Sequence, residues 1–357
     1  MPHRLENPPN RFESVHIEWD GEDLEGEPLA KLEVFEETAK SILSENASPD
    51  LGFRFSINPY RGCYHGCAYC YARPTHPYLG FGAGTDFERK IVVKKNAVAL
   101  LREAFEKKSW QGEVIALSGN TDCYQPLEAK YAITRGLLEV MEEYRNPVGI
   151  ITKNALVRRD VDVLARLAKH ASVRVTFSIA FADDALGRAM EPWASPISRR
   201  FEAMKMLSEA GIEVGQSLAP VIPGLNESDI PELLERGHAA GARYAFITLV
   251  RLSGEVLPIF VERLERAVPM RAEKVKNAIR EMRGGGMIGP GSPGTPARMN
   301  DPRFGSRMTG AGERWKTIEQ LFRVQVKRLG MNTEEALEDR GTTFRRPEKL
   351  KRQLPLF

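Results

Sequence analysis

From residue 53 to about residue 283 the chain alternates short apolar runs with amphipathic stretches, six times over. The apolar runs at 53–57, 113–117, 148–152, 173–180, 213–221 and 244–250 are rich in Val, Ile and Phe. Several are continuous, as strands covered on both faces must be. Between them, 94–108, 127–144, 160–170, 196–210 and 228–240 read as helices, and a sixth helical region over 263–283 restarts at Pro269. Ile133, Leu137, Leu138 and Met141 form one apolar stripe. Asp229 and Glu232 sit where a helix start favours acids, and Gly211 and Gly241 fall where a helix needs a left-handed cap. Alternation of this kind predicts an α/β fold with a parallel sheet and right-handed crossovers. Six units are too few to close an eight-fold barrel, which leaves an open partial barrel or a doubly wound sheet; in both, ligands bind at the carboxyl ends of the strands.

The flanks differ from this centre. Residues 1–50 carry 4 basic and 13 acidic side chains, and residues 251–357 carry 22 basic and 13 acidic ones, within a net charge of +3 for 357 residues. Trp19, Leu29, Leu32, Val34 and Phe35 suffice for one short packed element in an otherwise extended, acidic N-terminal arm. The expected organisation is an arm over 1–50, a partial barrel over 51–284 and a basic extension over 285–357, with a Gly/Pro-rich loop at 284–296 and a basic helix near 312–330. The basic end suits a polyanion such as nucleic acid, or simply a solvated face. At 42% hydrophobic and 28% charged residues, collagen-like, coiled-coil and wholly disordered chains are excluded. No apolar run approaches the roughly 18 residues of a membrane span. Residues 1–10 lack the apolar core of a secretory signal, so the expected compartment is the cytoplasm.

Three of the four cysteines, Cys63, Cys67 and Cys70, lie within eight residues, directly after the first predicted strand, in a C-x3-C-x2-C spacing. Clustering of this kind in a cytosolic chain reads as a metal or cluster site rather than a disulfide framework. Gly62 and Gly66 permit the turns that wrap three thiolates around one soft site, and Arg61 can offset its negative charge. A structural zinc ion is the competing reading; it needs a fourth ligand from His65, His76 or Cys123. Three thiolates on a four-iron cluster leave one iron open, as a reactive site requires.

These residues carry a resemblance. The loop Cys63-Tyr64-His65-Gly66-Cys67-Ala68-Tyr69-Cys70, with an aromatic residue before the last cysteine, resembles the radical S-adenosylmethionine (radical SAM) superfamily. Asn58-Pro59-Tyr60-Arg61-Gly62, Tyr71-Ala72-Arg73, Ser118-Gly119-Asn120-Thr121-Asp122, Ile151-Thr152-Lys153 and the tail Asn300-Asp301-Pro302-Arg303-Phe304-Gly305-Ser306-Arg307 resemble its spore photoproduct lyase-like branch, which includes many members of unassigned function. The resemblance spans roughly residues 50–357. It implies a partial (β/α)6 TIM-like barrel, a 4Fe–4S cluster on Cys63, Cys67 and Cys70, and S-adenosylmethionine bound to the open iron. One-electron cleavage of the S–C5′ bond would give a 5′-deoxyadenosyl radical that abstracts hydrogen from substrate, with a reductant such as flavodoxin or ferredoxin as partner and nucleic acid as a possible one.

Mapped onto strand ends, the resemblance assigns Ser118 and Asp122 to the methionine amino group, Lys153 to the carboxylate, Ser178 to ribose or carboxylate, and Ser217, Ala219 and Tyr69 to the adenine side. Glu191-Pro192 and Arg199-Arg200 are expected either to bind cofactor or substrate phosphate or to form a solvated helix start. In the lyase a cysteine just before the serine of the second strand returns a hydrogen; here Ile115-Ala116-Leu117 stands there. Cys123, five residues beyond Ser118, is the candidate displaced donor, an auxiliary ligand or a small core residue. Arg303, Phe304 and Arg307 are candidates for a wedge that extrudes a base. The rival readings are radical chemistry on a protein or small molecule, a zinc-bearing nucleic-acid-binding module without enzymatic activity, and an inactive relative of the enzymes.

Overall fold

A computed structural model of the chain describes residues 31–283, 299–337 and 341–348. Trp19 and Leu29, the stretch 284–296 and the terminal 354–357 lie outside the described residues. Among the described residues ten strands form, in chain order β1 (Glu33–Glu37), β2 (Leu43–Glu45), β3 (Phe55–Ile57), β4 (Tyr60–Arg61), β5 (Lys90–Lys94), β6 (Ile115–Leu117), β7 (Val148–Thr152), β8 (Val173–Ser178), β9 (Glu213–Val221) and β10 (Tyr244–Leu249). The main sheet runs β2-β3-β6-β7-β8-β9-β10, with β3 to β10 parallel in unbroken chain order and β2 antiparallel at the edge. A doubly wound sheet reverses its strand order at a switch point. This sheet never does, so it is the open partial barrel.

The pairing register sorts side chains into two faces. Leu117, Ile150, Val175 and Val214 stand opposite one another and pack outward beneath Leu137, Leu164, Met204 and Leu234 of the helices. Burying each such side chain is worth about 1.5–3 kcal/mol, which is what holds the helices to the sheet. The other face carries Ser56, Ala116 and Gly149 in one row, and Ser178, Ser217 and Phe246 in another. These residues are mostly small, so the concave side of the sheet keeps room for a ligand.

Helices follow the strands at Ala97–Glu106, Ile133–Tyr144, Val161–Ala168, Ile197–Glu209, Ile230–Ala239 and Val256–Ala267, with a restart over Pro269–Met282. Two differ from expectation. The stretch 127–144 splits at Ala132, whose φ is 51°, because the buried Glu128 turns back to accept a hydrogen bond from Thr134 N at 3.0 Å. The last helix begins at Val256, one turn and more before the expected Arg263, since Val256, Ile259 and Phe260 have a second core to bury. Among the described residues no helix is long and apolar enough to cross a membrane.

Residues expected in an extended arm are partly built into the fold. β1 pairs parallel with β5, β4 pairs antiparallel with β5, and together they make a small sheet beside the cysteine loop. At the other end, residues 299–310 cross between the two edges of the main sheet. Leu249 N donates to Met308 O at 3.1 Å, while Arg307 pairs with Asp50 at 2.5 Å and Gly305 N donates to Asp50 Oδ1 at 2.7 Å. Helix Gly312–Arg328 then lays Trp315, Ile318 and Phe322 into the main core.

Candidate functional site

The loop that carries the three cysteines begins where β3 ends. Asn58 Oδ1 accepts from Asn120 N at 2.7 Å and ties this strand end to the next. β4 then turns the chain back, and Gly62 and Gly66 adopt φ values of 76° and 65° that bar ordinary side chains. A Cβ on Gly62 would stand 2.9 Å from His76, and one on Gly66 would stand 2.9 Å from the Glu88 carboxyl. Two turns follow, Gly66 N to Cys63 O (3.3 Å) and Cys70 N to Cys67 O (3.2 Å). Arg73, fully buried, donates to Cys67 O from Nε and Nη2 (3.1 and 2.9 Å) and to Glu88 at 2.5 Å.

All three thiols are free; Cys63 packs with Ala72 and Phe87, Cys67 packs with Tyr69 and Met190, and Cys70 touches both groups. Burial pushes each thiol up; Lys153 works against this at Cys67 and Cys70, as does Arg73 at Cys70. Among the described residues, no three His, Cys, Asp or Glu side chains gather tightly enough to hold a single ion, the loop thiols included. Three soft thiolate donors suit an iron–sulfur cluster, and a closed zinc site would need a fourth ligand. The imagined fourth zinc ligands are otherwise engaged. His76 Nε2 donates to Lys90 O at 3.0 Å, and burial takes its pKa down to about 4. His65 is kept neutral by burial; its Nε2 accepts from Asn154 Nδ2 at 3.0 Å, and its Nδ1 faces Asp122 Oδ2 at 3.4 Å.

Four of the residues assigned to the cofactor meet at the strand ends. Lys153 Nζ donates to Ser178 Oγ at 2.5 Å, and Ser178 Oγ donates to Ala219 O at 3.1 Å. The Lys153 ammonium also lies 5.6 Å from the Tyr69 ring centroid. Ser217 stands opposite Ser178 on the same face, whereas its neighbour Gln216 points outward, where a Cβ on Gly237 would collide with its amide.

The hub of this group is a residue that the sequence left between a cofactor or phosphate contact and a solvated helix start. Glu191 is fully buried and accepts from the Tyr69 hydroxyl, from Arg200 Nη2 at 2.5 Å and, as an ion pair, faces Lys153 at 3.7 Å. Burial pushes its carboxyl up, but Arg200, Lys153 and Tyr69 outweigh that and hold it below its usual range. Arg200 is buried as well, while Arg199 beside it is exposed and pairs with Glu202. The signal available was an acid and a basic pair following the fourth strand, which a solvated helix start imitates.

Ser118 adopts φ 71°, and its Oγ accepts from Cys123 N at 2.8 Å. Asp122 accepts from Thr152 Oγ1 (2.8 Å), Tyr124 N (2.9 Å) and Lys153 N (2.7 Å), so its carboxylate spends most of its capacity fixing the ends of β6 and β7. Cys123 has no exposed surface and belongs to the main core with Tyr60, Tyr124 and Ile133; its thiol, raised by burial, neighbours Asp122, Ser118, Glu128 and Thr134.

Comparison with known proteins agrees with this geometry. An uncharacterized protein of Mycobacterium tuberculosis is 37% identical over 232 residues, covering 64% of this chain and 68% of the relative. An uncharacterized protein of Methanocaldococcus jannaschii is 31% identical over 196 residues, covering 55% of this chain and 70% of the relative. Spore photoproduct lyase complexed with dinucleoside spore photoproduct superposes with a TM-score of 0.58 over 84% of this chain and 80% of its own, at 15% identity, which is a likeness of fold. The profile of the radical SAM superfamily matches residues 57–237, just over half of the chain and the segment that holds the three thiols, Lys153 and Ser178. The chain therefore belongs to the radical SAM superfamily, whose members use a 4Fe–4S cluster and S-adenosylmethionine.

Proposed function

We propose that this protein is a radical SAM enzyme that holds the cluster on Cys63, Cys67 and Cys70, cleaves S-adenosylmethionine reductively, and acts on a nucleic-acid substrate. The observation that carries the first part is the adjacency of three free thiols on one tight loop, two of them buried and that of Cys70 half-buried, to an ammonium–hydroxyl–phenol group at the strand ends. When bound, the reduced cluster supplies the electron that breaks the S–C5′ bond, giving the radical that abstracts hydrogen.

The chain's own residues bind and orient. Lys153 offers an ammonium to the cofactor carboxylate; Glu191, which also holds Arg200 and Tyr69, keeps that ammonium aimed. Ser178, Ser217 and Ala219 line the ribose and adenine side. Ser118 and Asp122 hold the strand ends at which the amino group sits. Phe181, Met190, Val250 and Phe260 pack around Cys67 and Tyr69 and exclude water, which strengthens every charge interaction there.

Nucleic acid is favoured by what surrounds the mouth of the barrel. Tyr71, next to Cys70, is 50% exposed, and Phe304 is 61% exposed with Arg307 stacked on it at 4.4 Å. Arg251 stands close enough to Tyr71 and Arg307 for their charges to couple. Exposed aromatic faces interleaved with guanidinium groups suit unstacked bases and their phosphates. The overall basic charge is a weaker argument, because Arg283 and Arg346 donate to backbone carbonyls of the fold.

The test is anaerobic reconstitution followed by assay for 5′-deoxyadenosine under a strong reductant. The expected result is about four iron and four sulfide per chain, with product formation lost in Cys63→Ala, Cys67→Ala and Cys70→Ala. An intact, reducible cluster that yields no 5′-deoxyadenosine with several donors would overturn the enzyme reading. Deuterium recovered in 5′-deoxyadenosine from a labelled oligonucleotide, and none from labelled peptides or metabolites, is the expected result for the substrate; the reverse pattern would overturn it.

A further inference from the structure

The short helix Thr85–Arg89 backs the cysteine loop. Phe87 O accepts from Cys63 N at 2.9 Å, the Glu88 carboxyl abuts Gly66, and Arg89 lies over the Tyr64 ring at 4.9 Å. The helix Val256–Ala267 packs its Phe260 and Leu264 into one core with Cys67 and Tyr69, and it brings Arg263 to 3.9 Å from Glu88. Arg73, Arg89, Arg263 and Glu88 are all buried. Arg73 takes the carboxylate at 2.5 Å, which leaves Arg263 beyond hydrogen-bond range, its Nε and Nη2 without an acceptor. Arg89 rests on ring faces, those of Tyr64 and, at 4.8 Å, Trp193.

Three buried guanidinium groups thus meet one carboxylate on this side of the thiols. At the strand ends the charges are matched, Asp122 and Glu191 against Lys153 and Arg200. Arg61, the cation next to the loop in sequence, is exposed and paired with Glu37 at 3.3 Å. Burial works against the Arg263 charge and Glu88 supports it, and an arginine stays protonated in proteins. A cation buried without a full partner is costly to the fold. An anionic group on the adjacent loop offsets that cost. A cluster held by three thiolates is such an anion, and an added electron makes it more so. A fixed cation in a low-dielectric interior favours the more negative state, and net charge is one of the levers that set the potential of an iron–sulfur cluster.

We infer that Arg73, Arg89 and Arg263 raise the reduction potential of the cluster, with Arg263 as the charge that no carboxylate neutralises at hydrogen-bond distance. The inference rests on the placement of the cluster on Cys63, Cys67 and Cys70, and it adds which side chains make that cluster reducible. The redox step is simple: one electron passes from an external low-potential reductant to the cluster, no bond changes and no proton moves. Arg263 acts on it through its field rather than by contact, as a positioning residue.

The experiment is a redox titration of the full-length, reconstituted protein, followed by electron paramagnetic resonance. Dithionite and mediator dyes supply the electrons, and S-adenosylmethionine is left out so that no turnover drains them. Arg263→Gln with a full complement of iron should be harder to reduce, its midpoint lower by about 59 mV, a tenfold change in the one-electron equilibrium. Arg263→Lys keeps the charge and should restore most of the wild-type midpoint. Glu88→Gln removes the opposing charge and should move the midpoint up, a reversal of sign that loosened packing does not produce. If Arg263→Gln assembles no cluster, Arg89→Gln, expected lower, and Glu88→Gln, expected higher, decide the matter by the same signs. An unmoved midpoint in Arg263→Gln, or a lowered one in Glu88→Gln, with clusters intact, would overturn this inference alone. A wild-type chain that assembles no four-iron cluster would overturn it together with the proposed function.

Discussion

Single side chains decide whether the proposed cofactor site works. Lys153 reaches Ser178, Tyr69 and Glu191 together. Lys153→Met should therefore raise the KM for S-adenosylmethionine at least about tenfold while leaving iron content unchanged, with Lys153→Arg intermediate. Cys123→Ala should leave both cluster assembly and 5′-deoxyadenosine formation near wild type; complete loss of substrate turnover with cleavage intact would restore it to a hydrogen-donor role. Glu191→Gln removes the partner of a fully buried Arg200, and breaking such a pair costs about 3–5 kcal/mol, measurable by urea unfolding. His76 gives a pH signature. Its pKa falls from 6.5 unfolded to about 4 folded through burial, so the unfolded chain binds the extra proton. Stability contributed by the neutral ring is present above pH 6.5 and is lost as pH falls toward 4, up to about 3 kcal/mol in all. His76→Gln should flatten that part of the profile. At this scale a spacing or a strand end is what made Cys63, Cys67, Cys70, Lys153 and Ser178 candidates in the sequence. Glu191 was legible only as an open alternative: its partners Tyr69 and Arg200 lie 122 and 9 residues away, and only the fold brings them to one carboxylate.

Elements were easier to read than side chains. Strands buried on both faces leave unbroken apolar runs, so all six parallel strands are found within a few residues of their expected places. What failed was local and has a local cause: the kink at Ala132 follows from a hydrogen bond to Glu128, which no helix propensity encodes. The cysteine loop itself makes a prediction about glycine. Gly66→Ala must pay about 1–2 kcal/mol for a left-handed backbone and must also displace the Glu88 carboxyl from its place by Arg73. Gly80, with φ 75° but nothing within 4 Å of a Cβ, bears only the backbone cost. Gly66→Ala should lose iron on reconstitution while Gly80→Ala retains it, a contrast that separates loop geometry from general instability.

At the scale of the whole molecule, topology was easier to read than the meaning of the charge. The basic excess of residues 251–357 left a polyanion partner and a solvated face both open, and Arg283, Arg314 and Arg346 are spent within the fold, on backbone carbonyls and on Glu227. The guanidinium groups left beside the barrel mouth are few, so binding of single-stranded DNA should show a shallow salt dependence, with log affinity falling by roughly two to three units per unit of log salt concentration. Arg303→Ala/Arg307→Ala should reduce that slope, and a steep slope unaffected by these changes would place the contact elsewhere. The seam of the barrel yields the last expectation. Its two edges are joined by residues 299–310 through the Arg307–Asp50 pair and a handful of hydrogen bonds, without a strand ladder. A ring closed by a clasp yields first at the clasp. Deuterium should thus enter the amides around Met308 and Asp50 well before those of β7 and β8, and Asp50→Ala should widen the gap. Whatever the barrel works on, a gate of that kind would let a polymer be admitted sideways, mid-strand, with no free end to thread.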